Sequence, residues 1–264
     1  FLKKFILTWI LEPLTLLLVD RFYSVSEYIS KRQIPSFFSY KSEGFIYNFP
    51  DGTVRNRKNL PLIEKLKDFI SDDDVVVLSV ARINKEKGYH VLEEAILELD
   101  DIKNLKFIIA GEGEYLDTMK ANLKDQVATK QVLFTGYVSD PQSLYQEADI
   151  FVLPTLHETL SLVLLEASLN KLSLIASNTG GIPEIIEQGC NGDLVEVGDV
   201  KGIESAIRKQ FHDSRLRNKY GENAYVNVKE KFDEDKIADK LNLKVTKRVH
   251  QLSATCTGIK CNHS

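Results

Sequence analysis

Residues 75–88 read VVVLSVARINKEKG. The first six are apolar except for Ser79 and do not alternate with polar residues, which suits a strand covered on both faces, as in a parallel sheet flanked by helices. A short charged loop follows, and from Gly88 the spacing turns helical as far as Leu99. The same unit then repeats. Strands are expected at Val75–Val80, Leu105–Ala110, Gln131–Thr135, Asp149–Pro154 and Leu172–Ser177, and the helices between them at Gly88–Leu99, Glu114–Val127, Pro141–Glu147 and Leu160–Asn170. A β-α unit repeated in this way implies an α/β fold with a doubly wound parallel sheet. Two or three further helices are expected at about Val200–His212, Ser214–Lys231 and Asp233–Lys244, after which residues 245–264 show neither clear period nor a compact apolar face and read as a tail that is disordered or not native to the fold.

Upstream, residues 48–71 contain Pro50, Asp51-Gly52 and Pro61 and read as a connection into the first strand. The domain organisation expected is therefore a first unit over 1–50, a hinge over 51–71, the doubly wound domain over 72–232, and a C-terminal helix with its tail over 233–264. A complete second domain needs on the order of 100–150 residues, so residues 1–50 are expected to be only part of one. The chain opens on Phe1 and its single methionine is Met119, which fits a piece of a longer protein. Phe1–Val19 is strongly apolar, but Glu12 and Pro13 divide it into runs too short to cross a bilayer; a packed or interfacial helix is expected there.

Composition narrows the function. With 43% hydrophobic and 27% charged residues the chain is globular in type, and a formal charge of -4 argues against a nucleic-acid partner. The charge is uneven, 11 Lys+Arg against 7 Asp+Glu in residues 1–70, so the first part is basic while the rest is acidic. Three cysteines, an odd number, suit a reduced compartment and a cytoplasmic location. Cys256, Cys261 and His263 lack a fourth ligand and lie on a polar tail, so no metal is assigned.

Ligands of open α/β sheets bind beyond the carboxyl ends of the strands, so the segments after each strand carry the chemistry. After the first come Arg82 and Lys87-Gly88, whose guanidinium fork and ammonium can converge on a diphosphate or can simply be solvated surface charge. After the second comes Gly111-Glu112-Gly113; a dinucleotide fingerprint would need a third glycine where Leu116 stands, so a nicotinamide site is excluded and a tight turn near a ligand remains. Gly136-Tyr137-Val138 follows the third and either passes a bound base or is a buried strand end.

The stretch 157–167, HETLSLVLLEA, follows the fourth strand. On one helix Glu158 and Glu166 would lie roughly 12 Å apart along the axis, too far for the paired carboxylates of a glycosidase. They suit two ends of an elongated ligand, with the helix amides near Thr159–Ser161 aimed at an anionic group between them. A nucleotide sugar has that layout. Asn178-Thr-Gly180-Gly181-Ile-Pro-Glu184, after the fifth strand, either lines the pocket or permits the bend.

Arg82 and Lys87-Gly88, Gly111-Glu112-Gly113, Phe134-Thr-Gly136, Glu158 to Glu166-Ala167 and Gly180-Gly181-Ile-Pro-Glu184 stand in the order and spacing of family 4 (group 1) glycosyltransferases, and the chain resembles that family over about residues 20–232. The resemblance implies a GT-B fold, of which 72–232 is the Rossmann-like, nucleotide-sugar-binding C-terminal half. Asp20–Glu27 and Ile46–Asn48 resemble the last strands of the N-terminal, acceptor-binding half, most of which would be missing. It further implies a retaining glycosyltransferase that takes a nucleotide diphosphate sugar as donor and a glycan or lipid-linked acceptor, in cell-surface polysaccharide or glycolipid synthesis, with peripheral contact at the inner face of the membrane and no metal or other cofactor. By that resemblance Arg82 and Lys87 stabilise the leaving diphosphate and Glu158 holds the donor sugar, these three being the catalytic set. Glu166 binds the ribose, and Gly113, Tyr137, Val138, Thr159, Leu160, Ser161 and Leu162 complete the donor site. The family often has Gly-Phe-Gly where this chain has Thr159-Leu160-Ser161, so donor preference does not carry over. Two other readings stand beside this one: a nucleotide-sugar-binding subunit whose acceptor half is a separate chain, and an epimerase or phosphorylase on the same fold.

Overall fold

The computed structural model describes residues 18–19, 22–32, 40–50, 60–239 and 241. The helix expected over Phe1–Val19, apart from Leu18 and Val19, the first part of the expected hinge and the tail with Cys256, Cys261 and His263 lie outside them.

The described chain begins with a small unit: strand β1 (Phe22–Ser24), helix α1 (Glu27–Arg32) and strand β2 (Ser42–Phe45), with β1 and β2 parallel. The strand expected around Ile46–Asn48 lies earlier, at 42–45, where Gly44 takes a positive φ inside it. Helix α2 (Leu60–Phe69) follows. This stretch was expected to be connecting loop because Pro61 reads as a breaker; in the first turn of a helix, however, a proline loses no hydrogen bond. The helix buries Leu62, Leu66 and Phe69 against the sheet.

The main sheet runs β3 (Val75–Val80), β4 (Leu105–Ala110), β5 (Val132–Gly136), β6 (Ile150–Leu153), β7 (Ser173–Ser177) and β8 (Gly192–Val195), in the spatial order β5-β4-β3-β6-β7-β8, every neighbour parallel. This is the doubly wound order, with its reversal between β3 and β6. Five of the strands lie where the apolar runs put them. β8 was not expected: residues 191–199, NGDLVEVGD, look like turn and loop. Asp193 nonetheless sits in the strand 4% exposed, because Lys209 (2.8 Å) and the Gln210 side-chain amide (2.9 Å) satisfy its carboxylate.

The connections are helices α3 (Tyr89–Leu97), α4 (Leu116–Asn122), α5 (Lys124–Ala128), α6 (Gln142–Gln146) and α7 (Leu162–Leu169), followed by α8 (Val200–His212) and α9 (Ser214–Lys231). Residues 234–239 are helical as well. The single helix expected over Glu114–Val127 is two, broken at the buried Leu123.

Strand pleat explains the two cores. Val76 and Leu78 face one cluster with α2, α6, α7 and α9, while Val75 and Val77 face the other with α3, α4 and α8. Both faces are apolar and buried, which is why the strand sequences show no alternation. Among the described residues no helix is long and apolar enough to cross a membrane.

One side chain ties the small unit to the large one. The Glu184 carboxylate, in a 3-10 turn (Ile182–Glu184), accepts the backbone N–H groups of Glu27 (2.9 Å) and Tyr28 (2.8 Å) in the first turn of α1. A carboxylate at a helix N-terminus satisfies amides that the helix itself leaves unpaired. Lys231 donates to the Glu184 carbonyl (2.6 Å) and lies over the Tyr47 ring, which packs on Phe232 at 4.7 Å. Burial, and then the Glu184 carboxylate, push the Tyr47 phenol well above its ordinary value. Replacing Glu184 by Ala strands two amides, a loss of about 1–3 kcal/mol. Hydrogen exchange at Glu27 and Tyr28 is expected to accelerate by roughly tenfold or more while β3 and β6 exchange as before; unchanged protection at those two amides would contradict the clamp.

Candidate functional site

The strand order reverses between β3 and β6, so the loops leaving them, residues 81–88 and 154–161, diverge around the crevice where a doubly wound sheet takes its ligand. Backbone contacts lock the two loops together. Leu156 N–H donates to the Glu86 carbonyl (2.9 Å), and the buried Thr155 hydroxyl donates to the His157 carbonyl (2.8 Å) while lying 3.3 Å from that of Glu86. Gly88 has φ +75, and a Cβ there would stand 1.8 Å from the Pro154 carbonyl oxygen, so only glycine fits. Next to it the Asn84 side chain accepts the Lys87 N–H (2.8 Å) and shapes the turn.

These loops bring Lys87 and Glu158, 71 residues apart in sequence, into an ion pair at 2.8 Å. The pair is mostly covered, the side chains being 28% and 14% exposed. The other Glu158 oxygen accepts the Thr159 N–H at 3.1 Å. The backbone of Glu158 and Thr159 lies directly on the Gly180-Gly181 turn: a Cβ on Gly180, itself at φ +60, would be 1.6 Å from the Glu158 carbonyl oxygen. These glycines let the turn approach the backbone of Glu158 and Thr159 more closely than any side chain would allow.

Glu158 precedes the helix rather than riding on it. Ser161 takes the N-cap of α7 with extended backbone, its hydroxyl accepting Leu164 N–H at 3.4 Å, so the helix begins at Leu162 and the 12 Å spacing expected for one helix does not apply. Leu160 belongs to the core and Ser161 is 2% exposed, so what these two can offer a ligand is backbone. Thr159 and Leu162 are exposed.

A cleft of about 390 Å³ opens beside this arrangement. Its walls include Val80 at the end of β3 and Arg82 after it, Gly111 and Glu112 after β4, Tyr137 and Val138 after β5, and Val163 in the first turn of α7. Arg82 is exposed, and Tyr137 is 71% exposed. Lys87, Glu158 and Glu166 are not among the walls. Glu166 follows Val163 by three residues and Leu162 by four, which puts it on the same face of α7 as both. Gly113 is not among the walls either; it packs against the loop after β3, where a Cβ would meet the Ile83 carbonyl oxygen at 2.2 Å.

Residues 63–227 match the family described as glycosyl transferases group 1. The chain belongs to that family. Among curated relatives of this glycosyltransferase chain, N-acetyl-alpha-D-glucosaminyl L-malate synthase of Bacillus anthracis is 29% identical over 192 residues, 73% of this chain and 50% of the relative. The capsular polysaccharide biosynthesis glycosyltransferase CapM of Staphylococcus aureus is 25% identical over 244 residues, 90% of this chain and 64% of the relative. The chain thus spans half to under two thirds of the length of these relatives. Among solved structures, the Anabaena protein HepE in complex with UDP has a TM-score of 0.73 and 18% identity, covering 87% of this chain and 64% of that one. This likeness, with the six-stranded parallel sheet, gives the chain the Rossmann-like fold of GT-B proteins.

Sequence reasoning passed over Asn84, Thr155 and Tyr145. Asn84 works through a short-range turn bond, Thr155 through carbonyls of its own loop and of the distant loop at Glu86, and Tyr145 reads as an ordinary core aromatic. The ion pair yields a prediction. A diphosphate placed at Lys87 would compete with Glu158 for that ammonium, so Glu158→Gln is expected to tighten binding of a nucleoside diphosphate there by about 0.5–1 kcal/mol, roughly two- to fivefold. Calorimetry showing weaker diphosphate binding in this variant would refute the competition.

Proposed function

We propose that this chain is the donor-binding part of a retaining glycosyltransferase, which moves a sugar from a nucleotide diphosphate sugar to a glycan or lipid-linked acceptor in cell-surface polysaccharide or glycolipid synthesis. The observation that carries the reading is the meeting of Lys87 and Glu158 at the strand-order reversal, beside a cleft walled by Arg82 and the first turn of α7. In this reading the diphosphate lies against Arg82, Lys87 and the α7 amides, the base against Tyr137 and Val138, the ribose hydroxyls on Glu166 and the sugar hydroxyls on Glu158. Support comes from the family match and from the UDP held by the structurally similar HepE. The capsular function named for CapM favours a glycan product.

The chemistry follows from charge. As the bond from the anomeric carbon to the β-phosphate oxygen breaks, negative charge grows on the departing diphosphate and positive charge on the sugar. Fixed cations and helix amides stabilise the first more in the transition state than in the ground state, which lowers the barrier. Two cations next to the diphosphate supply what a divalent metal supplies elsewhere, so the reading requires no metal or organic cofactor. A basic first part, residues 1–70, favours contact with an anionic membrane face on the cytoplasmic side.

Calorimetric titration of the chain with UDP, GDP and ADP tests the site. One of the three is expected to bind saturably, and Glu166→Ala to weaken it by about tenfold or more, the cost of hydrogen bonds to a charged acceptor. Absence of binding to all three would overturn the reading. Retention is tested separately in the full-length enzyme by the anomeric coupling constant of the product, an inverted centre being the refuting result.

A further inference from the structure

We propose that Tyr145 is a positioning residue for the nucleotide, its hydroxyl reaching from inside the core to fix the Glu166 carboxylate in the orientation that grips the ribose. The proposal rests on the reading of Glu166 above and adds to it a residue that never touches the ligand.

Tyr145 lies on α6, 2% exposed, with its ring packed against Phe151 of β6 at 5.9 Å between centroids. Its one polar atom donates to Glu166 Oε2 at 2.8 Å. A hydroxyl this deep must find a partner, and a bond to a carboxylate is of the short, charge-assisted kind. Burial first, and then the charge of Glu166, push the Tyr145 phenol well above its ordinary value, so it stays protonated and remains a donor at working pH.

The same two helices are tied a second time. Gln142, one turn earlier on α6, donates to the Asn170 side-chain oxygen at 2.7 Å, and the Asn170 amide donates to the Glu166 carbonyl at 2.9 Å. Glu166 is thus bracketed, its side chain by Tyr145 and its backbone by Asn170. An unrestrained glutamate loses its rotamer freedom when it binds a diol, whereas one already held by Tyr145 loses less at that moment. Tyr137 and Val138, on the cleft wall, begin the chain segment that α6 completes, so the wall assigned to the base and the brace on the ribose carboxylate are a single stretch of ten residues, 137–146.

The test uses the whole 264-residue chain and two probes: the nucleoside diphosphate it binds best and the 2′,3′-dideoxy form of the same molecule. The ratio of their dissociation constants reports ribose recognition alone. Tyr145→Phe is expected to reduce that ratio by about five- to tenfold, the order of one net hydrogen bond, with dideoxy affinity unchanged within twofold, and Tyr145→Phe with Glu166→Ala to bind no worse than Glu166→Ala alone. Gln142→Ala should keep the wild-type ratio, because it loosens α6 without removing the phenol. If phenylalanine at 145 prevents folding, p-aminophenylalanine there keeps the ring and a weaker donor, and an intermediate ratio is expected. A variant at 145 that retains the wild-type ratio, or weakens both probes equally, overturns the proposal. A wild-type chain that does not distinguish the two probes overturns the ribose role of Glu166, and this inference with it.

Discussion

Everything in the molecule depends on β3 and β6 lying side by side with both faces covered. Val77 and Leu78 of β3, and Ile150 and Phe151 of β6, are paired across the sheet and have no exposed surface. Burial on this scale makes the centre of the sheet its stiffest part. The two loops that leave that centre inherit the stiffness, and each is pinned to the other by backbone bonds and by a glycine that leaves no room for a side chain. Side chains that must meet a charged ligand within tenths of an ångström gain from such a base, since preorganisation rather than contact number decides how much of the binding energy reaches the chemistry.

At the centre of the site the protein neutralises itself. Lys87 and Glu158 face one another at 2.8 Å, so neither charge is left unpaired while partly out of water. In the function proposed for this site, a diphosphate that takes Lys87 would release the carboxylate for the sugar, so that the charges needed at the two ends of the donor become available in one event.

The apolar strands and the loops at their ends were legible because a strand buried on both faces has few other ways to be written, and because Arg82, Lys87 and Glu158 follow such strands directly. Less legible was anything that depends on a distant partner. Asp193 looks like a turn residue until Lys209 and Gln210 are placed around it, and Pro61 looks like a breaker until it is found in the first turn of α2. Ser161 illustrates a finer limit: one capping hydroxyl moved the start of α7 past Glu158, and with it the distance argument between the two glutamates. Tyr145 carries no sequence signal that separates it from a packing aromatic, since its difference is one oxygen whose partner is 21 residues away.

The clamp at Glu184 bears on how such proteins are recombined. The orientation of the first unit is written partly in the second: a residue 157 positions downstream holds the amides that begin α1, and Ser26 lies against Gly181 in the same corner. A hybrid that joins the first unit of one relative to the sheet of another would therefore inherit mismatched halves of one joint, however well each half folds. The natural seam for exchange is not the covalent linker but a line that keeps residues 26–28, 47, 180–184 and 231–232 from a common parent.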